Sequence, residues 1–365
     1  MRQLSELTTM RVGGPVRQLL EPADADQLVE ATRDAWNSNE PWLILGGGSN
    51  LVVTDDGFDG TVIRVVTQGV ERVAGDEGTV TLRVQAGESW DGLVAGAIEQ
   101  GLVGLEALSG IPGRVGAAPI QNIGAYGQEL SDSLVAIDFL DVLTGEVTRV
   151  PAQELKLGYR TSAIKQGRHG LVVAVELRLS QGELSEPIAY SQLASALGVQ
   201  LGDRVPTAEV RSAVLRLRSS KGMVLSPEDP DSVSSGSFFT NPIVGARFAS
   251  ELPADAPRWP LGLEQADAVL PLETFDADAV PRRAVSEGQV KLSAAWLIEQ
   301  AGISRGFSLP GSHAAISSKH TLALVNTGGA TAEQVAELAR YVQNRVFNQF
   351  GVLLQPEPVL VGVQL

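Results

Sequence analysis

The sequence contains no cysteine. Disulfides, thiol redox chemistry and cysteine-ligated zinc or iron–sulfur centres are therefore excluded, and no metal site is expected. Basic residues are also scarce: 28 Lys and Arg stand against 43 Asp and Glu, a formal net charge of −15. Such a field disfavours nucleic acid and anionic membrane surfaces, both of which need concentrated positive charge. An anionic ligand would require a local basic pocket set against that background. No apolar run approaches the roughly 18 residues of a membrane span. The opening MRQLSELTTMRVGG lacks the apolar core of a signal peptide, so a cytoplasmic location is expected.

What is present is glycine, concentrated in two places. Gly101–Leu130 holds seven glycines, two prolines and only three charges in a background of small apolar residues. Glycine tolerates positive φ and lets backbone approach a ligand closely. The stretch reads either as a loop wrapped around a flat, partly anionic ligand or as a structural meander. The second place is Gly46-Gly47-Gly48-Ser49-Asn50, between apolar strands predicted at Trp42–Leu45 and Leu51–Thr54. A dinucleotide fingerprint would open a helix, and this loop opens a β-branched strand, so it is not of the Rossmann type. Its N–H groups suit an anion nest, with Ser49 and Asn50 as further partners. A tight hairpin turn is the alternative.

At 365 residues the chain is expected to form two or three domains. Periodicity predicts a strand at Val16–Leu20, a helix capped by Asp24, and a helix over Trp90–Gln100 ended by Gly101. Strands follow at Leu134–Leu143, Glu146–Val150 and Leu171–Leu179. The next predicted helix is capped by Thr207, with Arg211, Arg216, Arg218 and Lys221 on its outer side and at its end. One helix is predicted over Val290–Gln300 and the longest over Thr331–Phe350; a terminal strand spans Leu354–Val361. Residues 251–283 are acidic and proline-rich and read as a surface excursion. The whole is α+β.

Three polar residues stand where the local pattern is apolar or awkward: Arg160 after an aromatic, Ser237 between Gly236 and two phenylalanines, and Glu357 in the terminal strand. A carboxyl group in apolar surroundings has a raised pKa, and a buried arginine can neutralise a developing oxyanion. Singly, each also admits a bland role as a core ion pair, a turn cap or a surface cation.

Together, ILGGGSNLVV, SGIPGRVGAAPIQNIGAYG, YRTSAIK, GSFFTNP, KLSAAWLIEQAG, HTLALVN and PEP resemble the UDP-N-acetylenolpyruvoylglucosamine reductase family over nearly the whole chain. The resemblance implies a flavoenzyme of peptidoglycan precursor synthesis with an FAD-binding fold of the vanillyl-alcohol-oxidase type. Residues 1–66, joined by 327–365, would form one FAD-binding subdomain and 67–212 the second. Residues 213–326 would form the substrate domain. FAD would be non-covalent, since no histidine falls in either glycine loop. It would be cradled by Gly46, Gly47, Gly48, Ser49, Asn50, Gly113, Gly116, Ala117, Ala118, Ile120, Gln121, Asn122 and Gly124, with Val173 bordering the isoalloxazine.

The resemblance further implies that NADPH reduces the flavin and that hydride then passes to the methylene carbon of the enolpyruvyl substrate. Arg160 and a protonated Glu357 would stabilise the enolate, and Ser237 would protonate C2. Tyr190 matches a tyrosine found in one subtype; it, Lys221, Asn241, Lys291 and Gln300 would hold the UDP-sugar. A monomer is expected. Ala117-Ala118 replaces the Gly or Ser pair of many relatives, Val359 replaces a basic residue, and the spacing from Asn241 to Lys291 is longer than in the subtype. Two rivals are another FAD oxidase of this fold and a non-catalytic sugar-nucleotide binder. The first is disfavoured because alcohol oxidation needs no C2-protonating serine.

Overall fold

The computed structural model describes residues 1–73, 75–261 and 288–365. Within the stretch 251–283, residues 262–283 lie outside the described residues. The part before them forms the end of the helix Ala246–Glu251 and the strand Arg258–Leu261.

The first layer is a βαβ unit. Strands Val16–Leu20 and Trp42–Leu45 flank Phe58–Arg64 in a parallel three-stranded sheet. Helix Ala25–Asn37 supplies the crossover, and Asp24 caps it by accepting from Gln27 N at 2.9 Å. Leu28 and Ala35 bury that helix against Ile63 and against Leu140, Leu171 and Val173 of the neighbouring sheet. The two strands around Gly46–Asn50 do not pair with each other. Leu51–Val53 instead runs parallel to Val359–Val361, near the far end of the chain. The hairpin alternative for this loop is thereby removed.

The second layer is a largely antiparallel sheet in the order Val147–Pro151, Leu134–Asp141, Gly170–Gln181, Thr79–Gln85, Val70–Val73, with Leu102–Val103 added along the long strand. Val70–Val73, four exposed residues, carries no burial alternation that would mark it in sequence. Trp90 opens the helix Trp90–Glu99 and is 1% exposed, its indole N–H bonded to Leu108 O at 3.1 Å. Its backbone N–H also donates to Gly113 O. This anchors the second glycine stretch to the sheet.

The third region holds two small sheets and the helix Ala332–Phe350. The sequence predicts that helix over Thr331–Phe350; Thr331 caps it in a capping box with Gln334, and Val335, Leu338, Ala339, Val342 and Val346 form its buried stripe. Two predicted helices differ. Val290–Gln300 divides into the strand Gln289–Leu292 and the helix Ala294–Gln300, because the strand pairs on both sides and Ser293 caps the helix. Lys291 therefore sits on a strand. The helix Thr207–Ser219 starts with Pro206 in the cap position, and the Thr207 hydroxyl makes no capping bond. This helix also runs through the boundary expected at 212/213. The terminal strand is shorter than expected, Val359–Val361, with Pro356 bridged to Phe239 just before it.

Candidate active site

A cleft with a cavity volume of about 390 Å³ runs between these regions. One wall is made by the two glycine stretches, which meet backbone to backbone. A Cβ on Gly47 would lie 2.7 Å from Gly113 Cα, and one on Gly116 would lie 2.5 Å from Ala86 Cβ. Gly48 and Gly113 have φ of +62° and +120°, a region side chains resist. Ser49 Oγ donates to Pro112 O at 3.1 Å, tying one loop to the other. Among the described residues, no backbone N–H of Gly46–Asn50 has a hydrogen-bond acceptor. Unpaired N–H groups beside apolar surface, including a 38% exposed Ile120, suit a ligand that is anionic in one part and flat and apolar in another. FAD fits that description.

Gly47→Ala is therefore expected to push the two loops apart and weaken FAD binding about tenfold or more, an overpacking cost of roughly 1–3 kcal/mol. Flavin absorbance per protein after purification, and FAD titration of the apoprotein, measure it.

At one end of the cleft the three singled-out residues converge. Arg160 Nε lies 3.3 Å from Glu357 Oε1, and both side chains are mostly buried. Arg160 has φ +51°, a left-handed conformation costing about 1–3 kcal/mol in a bulky residue. The conformation is held by bonds from its guanidinium to Gly124 O at 2.6 Å and Asn122 O at 3.4 Å. Burial pushes the Glu357 carboxyl above the usual range, against the opposing pull of Arg160, Lys165 and Gln121. Ser237 ends the strand Ser234–Ser237, which carries a bulge where it pairs with Ala323–Asn326. Glu357 N donates to Phe238 O at 2.8 Å, so the serine and the glutamate are neighbours through backbone pairing. The acid is further held from the glycine loops: Asn50 Nδ2 donates to Gln121 Oε1 at 3.0 Å, and Gln121 Nε2 to Glu357 Oε1 at 3.3 Å.

Gly46 to Asn50, Gly113, Gly116, Ala117, Ala118, Ile120, Gln121 and Gly124 all line the cleft. Asn122 and Val173 do not. Asn122 is 1% exposed and braces the loop through Glu129 and Ser131. Val173 points into the core, and Gly170, Leu171 and Val172 line the cleft from that strand.

The residues expected to hold the UDP-sugar lie outside the cleft, four of them in two pairs and Gln300 apart. Lys221 Nζ is 5.7 Å from the Tyr126 ring and donates to Gln192, and Tyr126 meets Tyr190 edge-on. Asn241 joins Tyr159, Arg160 and Lys165 in an adjoining depression, with Lys291 Nζ 5.0 Å over the Tyr159 ring. Gln300 is exposed at a helix end, its carbonyl accepting from Gln349.

Four further groups were not assigned to a site from the sequence. Lys165 lines both hollows, its pKa lowered mainly by burial. His320 is pushed down to about 4 by burial and by Lys221 and Arg305. Arg218, expected on the outer side of its helix, lines the cleft with Ser235. Of these, only Lys165 lay within a motif used to assign a site, YRTSAIK.

Comparison with known proteins agrees with this geometry. Residues 16–151 match the profile of an FAD binding domain, and residues 229–361 that of the UDP-N-acetylenolpyruvoylglucosamine reductase C-terminal domain. The UDP-N-acetylenolpyruvoylglucosamine reductase of Leifsonia xyli subsp. xyli is 59% identical over 99% of this chain and 98% of its own length. That of Saccharopolyspora erythraea is 47% identical over 99% and 95%. The crystal structure of the Thermus caldophilus enzyme aligns with a TM-score of 0.63 at 27% identity, covering 99% of this chain and 97% of that one. The chain belongs to the UDP-N-acetylenolpyruvoylglucosamine reductase family.

Proposed function

We propose that the protein reduces the enolpyruvyl group of UDP-N-acetylglucosamine enolpyruvate to give UDP-N-acetylmuramate, with NADPH as reductant. The observation that carries this reading is the Arg160–Glu357 pair, 3.3 Å apart with the carboxyl held toward its neutral form, beside Ser237 in the cleft that both glycine stretches line. When bound, FAD supplies two-electron carrier chemistry between NADPH and the enolpyruvyl methylene carbon. The rest falls to the protein. Arg160 and the neutral Glu357 draw charge onto the substrate carboxylate, and preorganised donors of this kind contribute about 2.7–4 kcal/mol each. The Ser237 hydroxyl gives its proton to C2; so weak an acid suffices because the enolate is strongly basic.

Tyr190, Lys221, Asn241, Lys291 and Gln300 receive the UDP-sugar in this reading. The first FAD-binding subdomain is 1–66 with 327–365, the second is 67–212, and 213–326 covers the substrate. The basic surroundings of His320 support an anionic ligand near Lys221, in a chain that is otherwise acidic. The protein acts as a monomer in the cytoplasm in this reading; among the described residues no helix is long and apolar enough to cross a membrane.

Anaerobic NADPH should bleach the yellow protein, and UDP-N-acetylglucosamine enolpyruvate should restore the colour and sustain NADPH oxidation. Bleaching without recovery on adding that substrate would point to a different oxidant and overturn the assignment.

A further inference from the structure

The cleft is lined by two residues carrying polar atoms that nothing among the described residues satisfies. Arg218 Nε and Ser235 Oγ are sealed from solvent, and neither has a hydrogen-bond partner among the described residues. Unpaired buried donors cost about 1–3 kcal/mol each, so their presence in a native fold asks for a reason. Both residues line the cleft, alongside Gly236 and Ser237, and neither borders the adjoining depression at Tyr159 and Asn241.

Arg218 is held in place from behind. Its Nη2 donates to Met223 O at 3.0 Å, and its Cδ lies 3.4 Å from where a Cβ on Gly110 would stand. Gly110 has φ +71°, and its N–H is bonded to Asp91. Asp91, the nearby acid, is already gripped by Arg211 through bonds of 2.6 and 2.9 Å. The Arg218 charge is thus fixed and, among the described residues, lacks an ion-pair partner of its own. Arginine does not shed its proton to relieve this, so an electron-rich acceptor must supply the compensation.

We propose that Arg218 and Ser235 donate to the carbonyl-bearing pyrimidine edge of the bound flavin, and that the fixed charge of Arg218 raises the flavin reduction potential. The inference rests on the cleft being the FAD site. The pyrimidine edge is the part of the ring system with acceptors, and it gains electron density when the ring is reduced. A cation placed there favours the reduced form. Ser235 adds a neutral hydrogen bond that contributes to affinity in both oxidation states. The part of the chain assigned to the substrate would in this way set the electronics of the cofactor.

The test compares FAD-loaded wild type, Arg218→Met, Arg218→Lys and Ser235→Ala by spectroelectrochemical titration and by FAD dissociation from the holoprotein. Arg218→Met is expected to lower the reduced-to-oxidised ratio at fixed potential about tenfold to a hundredfold, equivalent to a potential roughly 30–60 mV lower. Arg218→Lys should recover most of that, and Ser235→Ala should weaken FAD binding several-fold with little change in potential. Should Arg218→Met fail to fold, Arg218→Gln, also uncharged and able to keep a hydrogen bond, takes its place with the same expected fall in potential. Wild-type potential and affinity in all three variants would overturn the inference while leaving FAD in the cleft. A raised KM for the UDP-sugar with an unchanged potential would do the same, by assigning the donors to substrate. A wild-type protein that takes up no FAD would remove the flavin reading itself, and this inference with it.

Discussion

Ser237→Ala is expected to leave reduction of the bound flavin by NADPH at its normal rate and to slow reoxidation by the enolpyruvyl substrate about 10²–10⁴-fold, the range lost with a positioned general acid. The separation of the two half-reactions follows from where the serine sits. Its strand is locked by Phe238 and Phe239, 0% and 1% exposed, and by the Glu357 N to Phe238 O bond. Deleting one hydroxyl at the cleft face leaves those anchors untouched, so the glycine loops and the flavin they hold should be unaffected. Rapid-mixing absorbance measurements, taken with each half-reaction alone, report both rates. Normal rates in both would show that the proton comes from another group.

Glu357→Gln is expected to slow the same half-reaction about 10²–10³-fold, as for the loss of one preorganised donor to a developing oxyanion. It should also abolish a pH dependence. Burial raises the carboxyl pKa in the folded protein, so the neutral acid persists above the usual glutamate range and is lost as pH climbs through the folded value. In the wild type the substrate half-reaction should therefore fall on that alkaline side, and in Glu357→Gln it should be flat there.

Stability carries the same sign. Between the unfolded and folded pKa values the native state binds more protons, so stability declines as pH rises across that window. The glutamine variant should lack that decline. Stopped-flow pH profiles and denaturant unfolding at several pH values test the two halves separately. A wild-type profile that rises with pH across that range, and is lost in Glu357→Gln, would show that the ionised carboxylate is the working form.

The parts of the molecule legible in the sequence are those whose signals are local. Asp24 and Thr331 announce helix starts because capping needs only the next three residues. Glycine density marked both loops of the cleft because close backbone approach excludes a side chain at positions such as Gly47. Arg160, Ser237 and Glu357 stood out as polar residues in places that disfavour them, although only the resemblance joined them into one site. What stayed hidden depends on partners distant in sequence. Lys291 is on a strand because Ile243–Gly245 and Arg258–Leu261 pair on either side of its segment. Arg218 looked solvent-facing because helical periodicity records only which side is apolar. It cannot record that the polar side meets Gly110 and the cleft. Asn122 has a positive φ of +49° and a side chain that braces the loop, which its place in the motif did not reveal.

The parallel pairing of Leu51–Val53 with Val359–Val361 also dictates when the site can exist. Asn50 and Glu357 are 307 positions apart. At synthesis rates of about 5–20 residues per second, the glycine loop waits roughly 15–60 s on the ribosome for its acid to emerge. During that interval Leu51, Val52 and Val53 present an unpaired, β-branched edge of the kind that recruits other strands. A nascent chain of this protein thus carries that open edge until Val359–Val361 emerges, and assembly of the reaction centre coincides with its closing.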